Sequence, residues 1–579
     1  MVNKSGKCYW WHILLVAATV LAAIPKVFIG MDYDESYIIT MGIRLLNGDR
    51  LFDTMWELHM TSAWPAYLGL AFYQMVTGTL EGSAIFLRVL SVLFQFFTGW
   101  MAYCVIKKYH SRHTAVLTGI FVANFLPRAT QNLEYGLLQM LFVTIAVLLL
   151  YDEVMCRESI LRVIGAGIFY ALGVLAYPTI ILSFPVLLVG LYFCSGKQAH
   201  RENKWNRWRL PVLFAMACGI CALVFLAYVL SYIPFSEFMA NLRGILMDGT
   251  HADTVKTHTY WSQMVELVKR TILIAAVAGG CCFFFLKILP AEDQNSGFVR
   301  IFVKKKSLFW YSMLLAGSLI FVGLNITGLR PSGPLGLQVR YIIAAAVGIG
   351  FVIKMRSRVM GVMFLAPGIA IYVGAMIGSN MGFEENASFL YLAVLAAVIL
   401  MSEYAFERGG QFRNIGIFCV ACFALGLIFC KGYLVRIVGT FPANIAEERV
   451  CIEDGVLRGI YVYPEDAVND VVKKQEMQEY SGKQDVVLYL GNDAICNTFT
   501  EGSFTSATCI STPVYNEQWV MYYQNEEHPQ PTVIFVDKDN IETLEKFTAT
   551  EYGAWILERY EFTEEDFLEG EAFFILRLE

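Results

Sequence analysis

Long apolar blocks alternate with short polar loops from Trp11 to about Cys430, where the alternation stops. Because about 20 apolar residues cross the hydrocarbon core of a bilayer, these blocks predict membrane-spanning helices. Thirteen spans are expected, at 11–29, 84–106, 113–128, 134–151, 159–177, 179–195, 210–230, 271–289, 307–325, 340–355, 359–378, 387–404 and 414–432. The shorter apolar segment Trp64–Gly78 is expected to lie on the outer membrane surface or to re-enter the bilayer.

Basic residues fall in every second loop of this arrangement, and cytoplasmic loops of membrane proteins collect Lys and Arg. These residues are Lys107, Lys108 and Arg112; Arg157 and Arg162; Lys197, Arg201, Lys204, Arg207 and Arg209; Arg300, Lys304, Lys305 and Lys306; Lys354, Arg356 and Arg358; and Arg408 and Arg413. If the N-terminus is cytoplasmic, all of these residues lie on the cytoplasmic side of the cytoplasmic membrane. An odd number of spans then puts the C-terminal tail on the outer side. The first apolar run is too long for the core of a signal peptide, so we interpret it as a retained span.

The composition agrees with a membrane protein. Hydrophobic residues make up 56% of the chain and charged residues 16%, against roughly 25% charged residues in soluble domains. The formal net charge of -6 gives no reason to expect a nucleic-acid partner. The pairs Cys218–Cys221 and Cys419–Cys422 lie inside apolar runs, where burial disfavours thiolates, so redox or zinc chemistry is not expected there.

The tail from about Thr440 to Glu579 has the composition of a water-soluble domain. Strand-like and helix-like runs alternate along it, which predicts a small α/β domain. The predicted strands are 458–463, 486–490, 532–536 and 572–578, and the predicted helices are 464–480, 516–524 and 540–548. The chain therefore divides into a membrane domain, 1–435, and an external soluble domain, 440–579.

Two external loops are long enough to carry a site, 30–83 and 231–270. The first opens with Asp32-Tyr33-Asp34-Glu35, which places three acids at the membrane–water boundary, where carboxylates are costly and often functional. Capping of the following helix by Asp34 is the structural alternative, and for an isolated Asp it is the more common role.

The same loop continues with a helix predicted to end at Gly48-Asp49, then with Trp56-Glu57-Leu58-His59, Trp64-Pro65, Glu81-Gly82 and Arg88. An Asp-Glu pair after the first span, a helix ending in Gly-Asp and a Pro-containing apolar stretch together resemble the GT-C membrane glycosyltransferases. The resemblance is to the aminoarabinose transferases and the protein O-mannosyltransferases. It covers about residues 1–180 by motif and the remainder by layout. Those relatives often carry a basic residue before paired prolines, whereas this chain has His59 and a single Pro.

By this resemblance, Asp34 is the expected general base, with Glu35 beside it and Glu134 in the next external loop as a further catalytic acid. Glu134 could equally be an acid favoured by the dipole at the start of a helix. Tyr33 and Glu57 are expected substrate contacts.

Cations are expected to neutralise the phosphate of a lipid carrier, and the external basic candidates are Arg128, Arg330 and Arg340. His59 could take the place of the cation found in the relatives. An Arg at the membrane interface is more often an anchor, which is the alternative for each of the three.

The expected reaction moves a sugar from a polyprenyl-phosphate carrier to an acceptor hydroxyl on the external face, because nucleotide sugars are absent there. Direct attack would invert the anomeric carbon, with one carboxylate acting as base. The acceptor is expected to be a glycan, lipid or protein of a bacterial cell envelope. No cofactor is clearly required. A divalent metal could bind His251, His258, Asp248 and Asp253 together with Glu57 and His59, although a polar loop over the site is favoured because no ligand spacing supports a metal.

Two other functions are alternatives. A transporter or lipid-linked-saccharide flippase usually has repeated halves and charges near mid-span, whereas the acids of this chain cluster at one membrane surface. A polysaccharide polymerase or ligase shares the carrier chemistry, but it is expected to depend on a large late external loop, and the late loops here are short.

Overall fold

A computed structural model describes residues 10–127, 131–156, 159–195, 205–247, 261–262, 265, 268–269, 333–379, 385–407, 424–437, 440–509 and 515–578. The N-terminal part of these residues is helical and the C-terminal part is an α/β domain. The helices before the soluble domain are α1 (Trp10–Phe28), α2 (Tyr33–Leu46), α3 (Trp64–Thr77), α4 (Ser83–Ile106), α5 (Arg112–Asn124), α6 (Tyr135–Cys156), α7 (Ile160–Ala176), α8 (Ser183–Ser195), α9 (Trp205–Val229), α10 (Phe235–Ile245), α11 (Gly333–Met355), α12 (Arg358–Ile377), α13 (Tyr391–Glu407) and α14 (Ala424–Tyr433).

Seven helical segments among the described residues are long and apolar enough to cross a membrane. They are Trp10–Phe28, Ser83–Ile106, Tyr135–Cys156, Pro178–Ser195, Arg207–Val229, Arg358–Ile377 and Asn386–Phe406. The predicted spans 113–128, 159–177 and the described part of 414–432 are occupied by shorter helices, and 340–355 lies within α11, whose apolar stretch Ala344–Ile353 is short. The predicted spans 271–289 and 307–325 lie outside the described residues, so the total of thirteen stays a prediction.

The core of the helical part centres on α6, whose side chains are almost all buried, mainly by α7 and α4. Helices α4 and α5 approach closely at a pair of glycines. A Cβ added at Gly99 would lie 2.8 Å from the carbonyl oxygen of Gly119. Small residues at such a crossing let two apolar helices pack backbone to backbone, which is how helices associate in a membrane.

Helix α3 lies within the segment that the sequence predicts to stay on the membrane surface. It is 14 residues long and therefore spans about 21 Å, too short to cross a hydrocarbon core of about 30 Å. Leu68, Phe72 and Met75 are exposed on it, while Gly69 and Leu70 are buried. An amphipathic helix with an exposed apolar face suits the membrane interface.

The soluble domain confirms the predicted α/β architecture. Its five-stranded sheet has the order β6-β5-β7-β9-β8, in which β5, β6 and β7 are parallel and β9 runs antiparallel to β7 and β8. The strands are β1 (Leu434–Ile437), β2 (Thr440–Asn444), β3 (Val450–Cys451), β4 (Tyr461–Val462), β5 (Val486–Leu490), β6 (Ser503–Phe504), β7 (Val533–Asp537), β8 (Leu568–Glu569) and β9 (Phe573–Arg577). The helices are α15 (Pro464–Tyr480), α16 (Glu517–Gln524), α17 (Leu544–Thr548) and α18 (Glu551–Tyr560).

A buried ion pair joins α2 to the helical core. The Arg88 guanidinium donates to both carboxylate oxygens of Glu35, at 2.6 and 2.7 Å, and both side chains are 3% exposed. The same guanidinium donates to the carbonyl oxygens of Val27 and Gly30. One side chain of α4 therefore fixes the end of α1 and the first turn of α2.

Removal of this guanidinium is expected to destabilise the protein strongly. Arg88→Met would leave Glu35 buried without its charged partner, and breaking a buried pair in this way costs about 3–5 kcal/mol. Thermal unfolding of the purified protein in detergent measures the effect.

Arg458→Met is the matched control, because Arg458 pairs with Glu81 at 2.9 Å with both side chains about half exposed. Its loss should change stability by less than about 1 kcal/mol. Equal melting temperatures for the two variants would contradict the structural role of the Glu35–Arg88 pair.

Candidate active site at the start of helix α2

Asp34 lies in the first turn of α2, at the junction between the helical part and the soluble domain. Its side chain is half-buried, and its Oδ1 accepts a hydrogen bond from the Tyr135 hydroxyl at 3.0 Å. Asp32, not Asp34, occupies the cap position of α2, and its side chain makes no capping hydrogen bond. The capping alternative for Asp34 is therefore wrong.

Glu134 is the cap of α6. Its two carboxylate oxygens accept hydrogen bonds from the backbone N–H groups of Gly136 and Leu137, at 2.6 and 2.7 Å, and the residue is 1% exposed. A carboxylate at this position also benefits from the helix dipole. Glu134 thus does what the structural alternative predicts, and it fixes the backbone beside Tyr135.

Glu35 and Glu57 are also held in buried contacts. Glu35 is the partner of Arg88, as described above. Glu57 is paired with Arg44 at 3.1 Å and accepts hydrogen bonds from the Thr508 hydroxyl and the Cys509 backbone N–H. Arg44 is 1% and Glu57 0% exposed, so Glu57 links the loop 47–63 to the soluble domain, and its substrate contact stays a prediction.

His59 lies in an aromatic stack beside Asp34. Its ring is 3.9 Å from that of Tyr135 with an angle of 10° between the planes, and 5.4 Å from that of Tyr177. Phe389 continues the stack, 5.0 Å from Tyr177. Neither Tyr135 nor Tyr177 was predicted as a site residue from the sequence. Their signal was an aromatic residue beside Gly136 or Pro178 at the outer end of a span.

The predicted phosphate-binding cations stay predictions. Arg128 and Arg330 lie outside the described residues. Arg340 lies on α11, and its side chain is not among those that the structure describes. The proposed metal ligands of 248–258 also lie outside the described residues. Within the part of the chain that the structure describes, no three His, Cys, Asp or Glu side chains are grouped as a metal site.

A polar cavity of about 280 Å³ lies where the soluble domain meets the first turn of α2. It opens at the carboxyl ends of the parallel strands β5 and β7, and Tyr33 forms part of its wall. The chain runs from β5 to β6 on one side and returns to β7 on the other, so the cavity occupies the point where the strand order reverses. Its polar lining consists of Tyr33, Asp466, Asn469, Asp470, Lys473, Asn492, Asp493, Asp537, Asp539 and Asn540.

Charges in this cavity are only partly compensated. Lys473 lies 2.8 Å from both Asp537 and Asp539, and burial together with Asp493 raises the pKa of Asp470 to about 8. Burial also raises the pKa of Asp493, whose Oδ1 accepts a hydrogen bond from the backbone N–H of Ile495 at 3.3 Å. Burial and the nearby Asp493 raise the pKa of Tyr33.

Comparisons with known proteins give structural matches only. No family model and no curated protein matches the sequence. ArnT from Cupriavidus metallidurans bound to undecaprenyl phosphate matches with a TM-score of 0.49 and 11% identity, over 93% of this chain and 95% of that one. The archaeal oligosaccharyltransferase AglB from Archaeoglobus fulgidus, in complex with an inhibitory peptide and a dolichol-phosphate, matches with a TM-score of 0.46 and 13% identity, over 95% of this chain and 72% of that one.

The Archaeoglobus fulgidus oligosaccharyltransferase in complex with Zn and sulfate matches with a TM-score of 0.47 and 12% identity, over 94% of this chain and 71% of that one. Because all three TM-scores lie below 0.5, we argue function from the residues of this chain.

The raised pKa of Asp470 predicts a loss of stability as the pH rises. The folded protein keeps this proton up to about pH 8, whereas the unfolded chain releases it near about pH 4. Stability that is present at low pH is therefore lost progressively as the pH rises through the folded pKa. Asp470→Asn removes this loss, and its melting temperature should exceed that of wild type increasingly from about pH 5 to about pH 8.

Glu558→Gln is the control, since Glu558 is an exposed acid of the same domain. Its melting temperature should follow wild type at every pH. A wild-type-like pH dependence in Asp470→Asn would contradict the assignment of the buried proton.

Proposed function

We propose that the protein is a glycosyltransferase that moves a sugar from a polyprenyl-phosphate carrier to an acceptor hydroxyl on the extracytoplasmic side of the membrane. Asp34 is the general base of the reaction. The observation that carries this proposal is the difference between the contacts of Asp34 and those of the other predicted acids. Glu35, Glu57 and Glu134 each accept buried structural hydrogen bonds, whereas Asp34 is half-buried at the junction of the two domains.

This position suits a base that must meet two substrates. Helix α2 begins shortly after α1 ends. In the proposed orientation the end of α1 is its outer end, where a carrier phosphate would stand above its lipid chain. The soluble domain contacts α2 through the Thr40 hydroxyl, which donates to the carbonyl oxygen of Ala494 at 2.9 Å, and Tyr33 of the first turn shares a cavity with Asp493. A membrane-borne donor and a water-soluble acceptor can therefore reach Asp34 from opposite sides.

The chemistry is a single displacement. Asp34 takes the proton of the acceptor hydroxyl while the oxygen of that hydroxyl attacks the anomeric carbon. The bond from the anomeric carbon to the phosphate oxygen breaks at the same time. The bonding pair leaves with the polyprenyl phosphate, and the anomeric configuration inverts. Arg128, Arg330 and Arg340 are the proposed cations for the leaving phosphate. The acceptor is proposed to be a glycan, lipid or protein of the cell envelope.

The orientation can be tested with two exposed cysteines. Cys451 lies in the soluble domain and Cys156 at the end of α6 beside the predicted cytoplasmic loop. A membrane-impermeant maleimide applied to intact cells should modify Cys451, so that Cys451→Ser loses label and Cys156→Ser does not. Label that depends on Cys156 should be gained after the membranes are opened. The reverse pattern would place the soluble domain in the cytoplasm and contradict the proposal.

The reaction itself is tested with purified protein in detergent and radiolabelled polyprenyl-phosphate sugars. Wild type should release polyprenyl phosphate, and Asp34→Asn should lower the rate about 10²–10⁴-fold, the usual contribution of a positioned general base. Asp53→Asn is the matched control, because it removes another partly exposed acid of the same external loop. It should retain most of the wild-type rate.

Full activity of Asp34→Asn would contradict the assignment of the base. Vesicle transport of a lipid-linked saccharide without any glycosyl product would favour the flippase alternative. Turnover with oligosaccharide carriers and not with monosaccharide carriers would favour the polymerase or ligase alternative.

A further inference from the structure

We infer that Tyr135 is the positioning residue of the proposed base, holding the Asp34 carboxylate in one orientation through its hydroxyl and being held itself by the stack with His59 and Tyr177. This inference rests on the proposed function. It assigns Tyr135 a role for which neither the sequence pattern nor the structural matches offer a candidate.

The contact between Tyr135 and Asp34 is direct. The hydroxyl donates to Oδ1 at 3.0 Å, a normal distance for a hydrogen bond from a hydroxyl to a carboxylate. The two residues come from distant parts of the chain, the first turns of α2 and α6. Each turn is fixed independently, because Arg88 binds Glu35 beside Asp34 and Glu134 caps the helix that begins with Tyr135. The donor and acceptor are therefore both held in place.

The ring of Tyr135 has little freedom to turn. It is 5% exposed, and His59 covers one face at 3.9 Å with nearly parallel planes. Tyr177 lies 5.8 Å away at an angle of 27°. Rotation of the ring about its side-chain bonds would break this stack, so the hydroxyl can reach the carboxylate in only one way. The packing of the His59, Tyr135 and Tyr177 rings thus orients the Tyr135 hydroxyl toward Asp34.

The chemical consequence is a base whose carboxylate is held in one orientation. A hydrogen bond donated to a carboxylate favours its charged form, which is the form able to accept a proton from the acceptor. It also limits rotation of the carboxylate, so that the geometry for proton transfer is present before the acceptor binds. Loss of the hydroxyl should disturb both properties while leaving the ring in the stack.

Other titratable groups lie around the first turn of α2. The elements packed against α2 and its own first turn contribute Asp32, Tyr33, Glu35, His59, Tyr67, Tyr73, Arg88, Glu134 and Asp493. All of them are unchanged between wild type and a variant at Tyr135. A difference between the two proteins therefore reports the hydroxyl of Tyr135.

Tyr135→Phe tests the inference with two measurements. In the transfer assay, the acidic limb of the pH profile of kcat/KM should move upward by about one pH unit, since hydrogen bonds to charged groups are among the stronger ones, and kcat should fall about tenfold. In infrared titrations, the carboxyl band that is lost in Asp34→Asn should titrate at a correspondingly higher pH in Tyr135→Phe. The infrared measurement needs no activity, and the retained ring should preserve folding.

Tyr170→Phe is the matched control, because Tyr170 is a buried tyrosine whose hydroxyl contacts the Ser183 hydroxyl at 2.9 Å. Its loss should leave the acidic limb and the carboxyl band in place, even if the melting temperature falls. A merely structural role for Tyr135 would give the same result as Tyr170→Phe, and that outcome would overturn the inference.

The inference and the proposed function fail in different ways. If Asp34→Asn abolishes transfer but Tyr135→Phe has an unchanged acidic limb and an unchanged carboxyl titration, the base is correct and the positioning role is wrong. If Asp34→Asn stays fully active, the proposed base is wrong. In that case an unshifted carboxyl band in Tyr135→Phe would overturn the contact as well, and a shifted band would retain it as a property of the fold.

Discussion

The bidentate pair between Arg88 and Glu35 is the constraint on which the rest of the site depends. Two buried charges are costly unless each is matched in geometry and hydrogen bonding, and here one guanidinium satisfies a carboxylate and two backbone carbonyls. Those carbonyls belong to Val27, near the end of α1, and to Gly30, in the connection between α1 and α2. The chain is therefore forced to leave the first span and enter α2 at one angle, which fixes where Asp34 stands.

A second buried pair extends this frame into the soluble domain. The ion pair between Arg44 and Glu57 joins α2 to the loop that follows it. Glu57 also accepts hydrogen bonds from the Thr508 hydroxyl and the Cys509 backbone N–H. The Thr40 hydroxyl adds a hydrogen bond to the carbonyl oxygen of Ala494 at 2.9 Å. Helix α2 is consequently a shared element of both domains. The soluble domain also shares a cavity with Tyr33, the residue beside Asp34, and Asp470 lies in the same cavity.

The acids of the external face illustrate how similar residues acquire different roles. Glu134 and Glu35 have both oxygens engaged, one by backbone N–H groups and one by a guanidinium, and these contacts organise the polypeptide. Asp34 accepts from a tyrosine hydroxyl at the domain junction. A side chain whose hydrogen bonds complete the fold is poorly suited to take and release a proton in every turnover. The partners, more than the residue type, therefore distinguish a structural acid from a candidate base.

The periodicity of the chain determined much of this architecture by itself. Apolar runs of a length that matches a bilayer predicted α1, α4 and α6, and alternating polar and apolar runs predicted β5, β7 and α15 within a residue or two. Such elements follow from local patterns, because burial of one face or of a whole segment is written into successive residues. The sequence also pointed to the external loop as the place of the chemistry.

Tertiary structure alone decided which residues meet there. Tyr135 and Tyr177 are separated from Asp34 by about a hundred residues or more, and no local pattern distinguishes them from the many tyrosines at span ends. The pairing of Glu35 with Arg88 and of Glu57 with Arg44 likewise depends on helices crossing in space. Hydrogen bonds act over about 3 Å between atoms, whatever their separation along the chain. The sequence can therefore predict a set of candidate acids. The packing of distant helices decides which of them has structural partners and which is left as the candidate base.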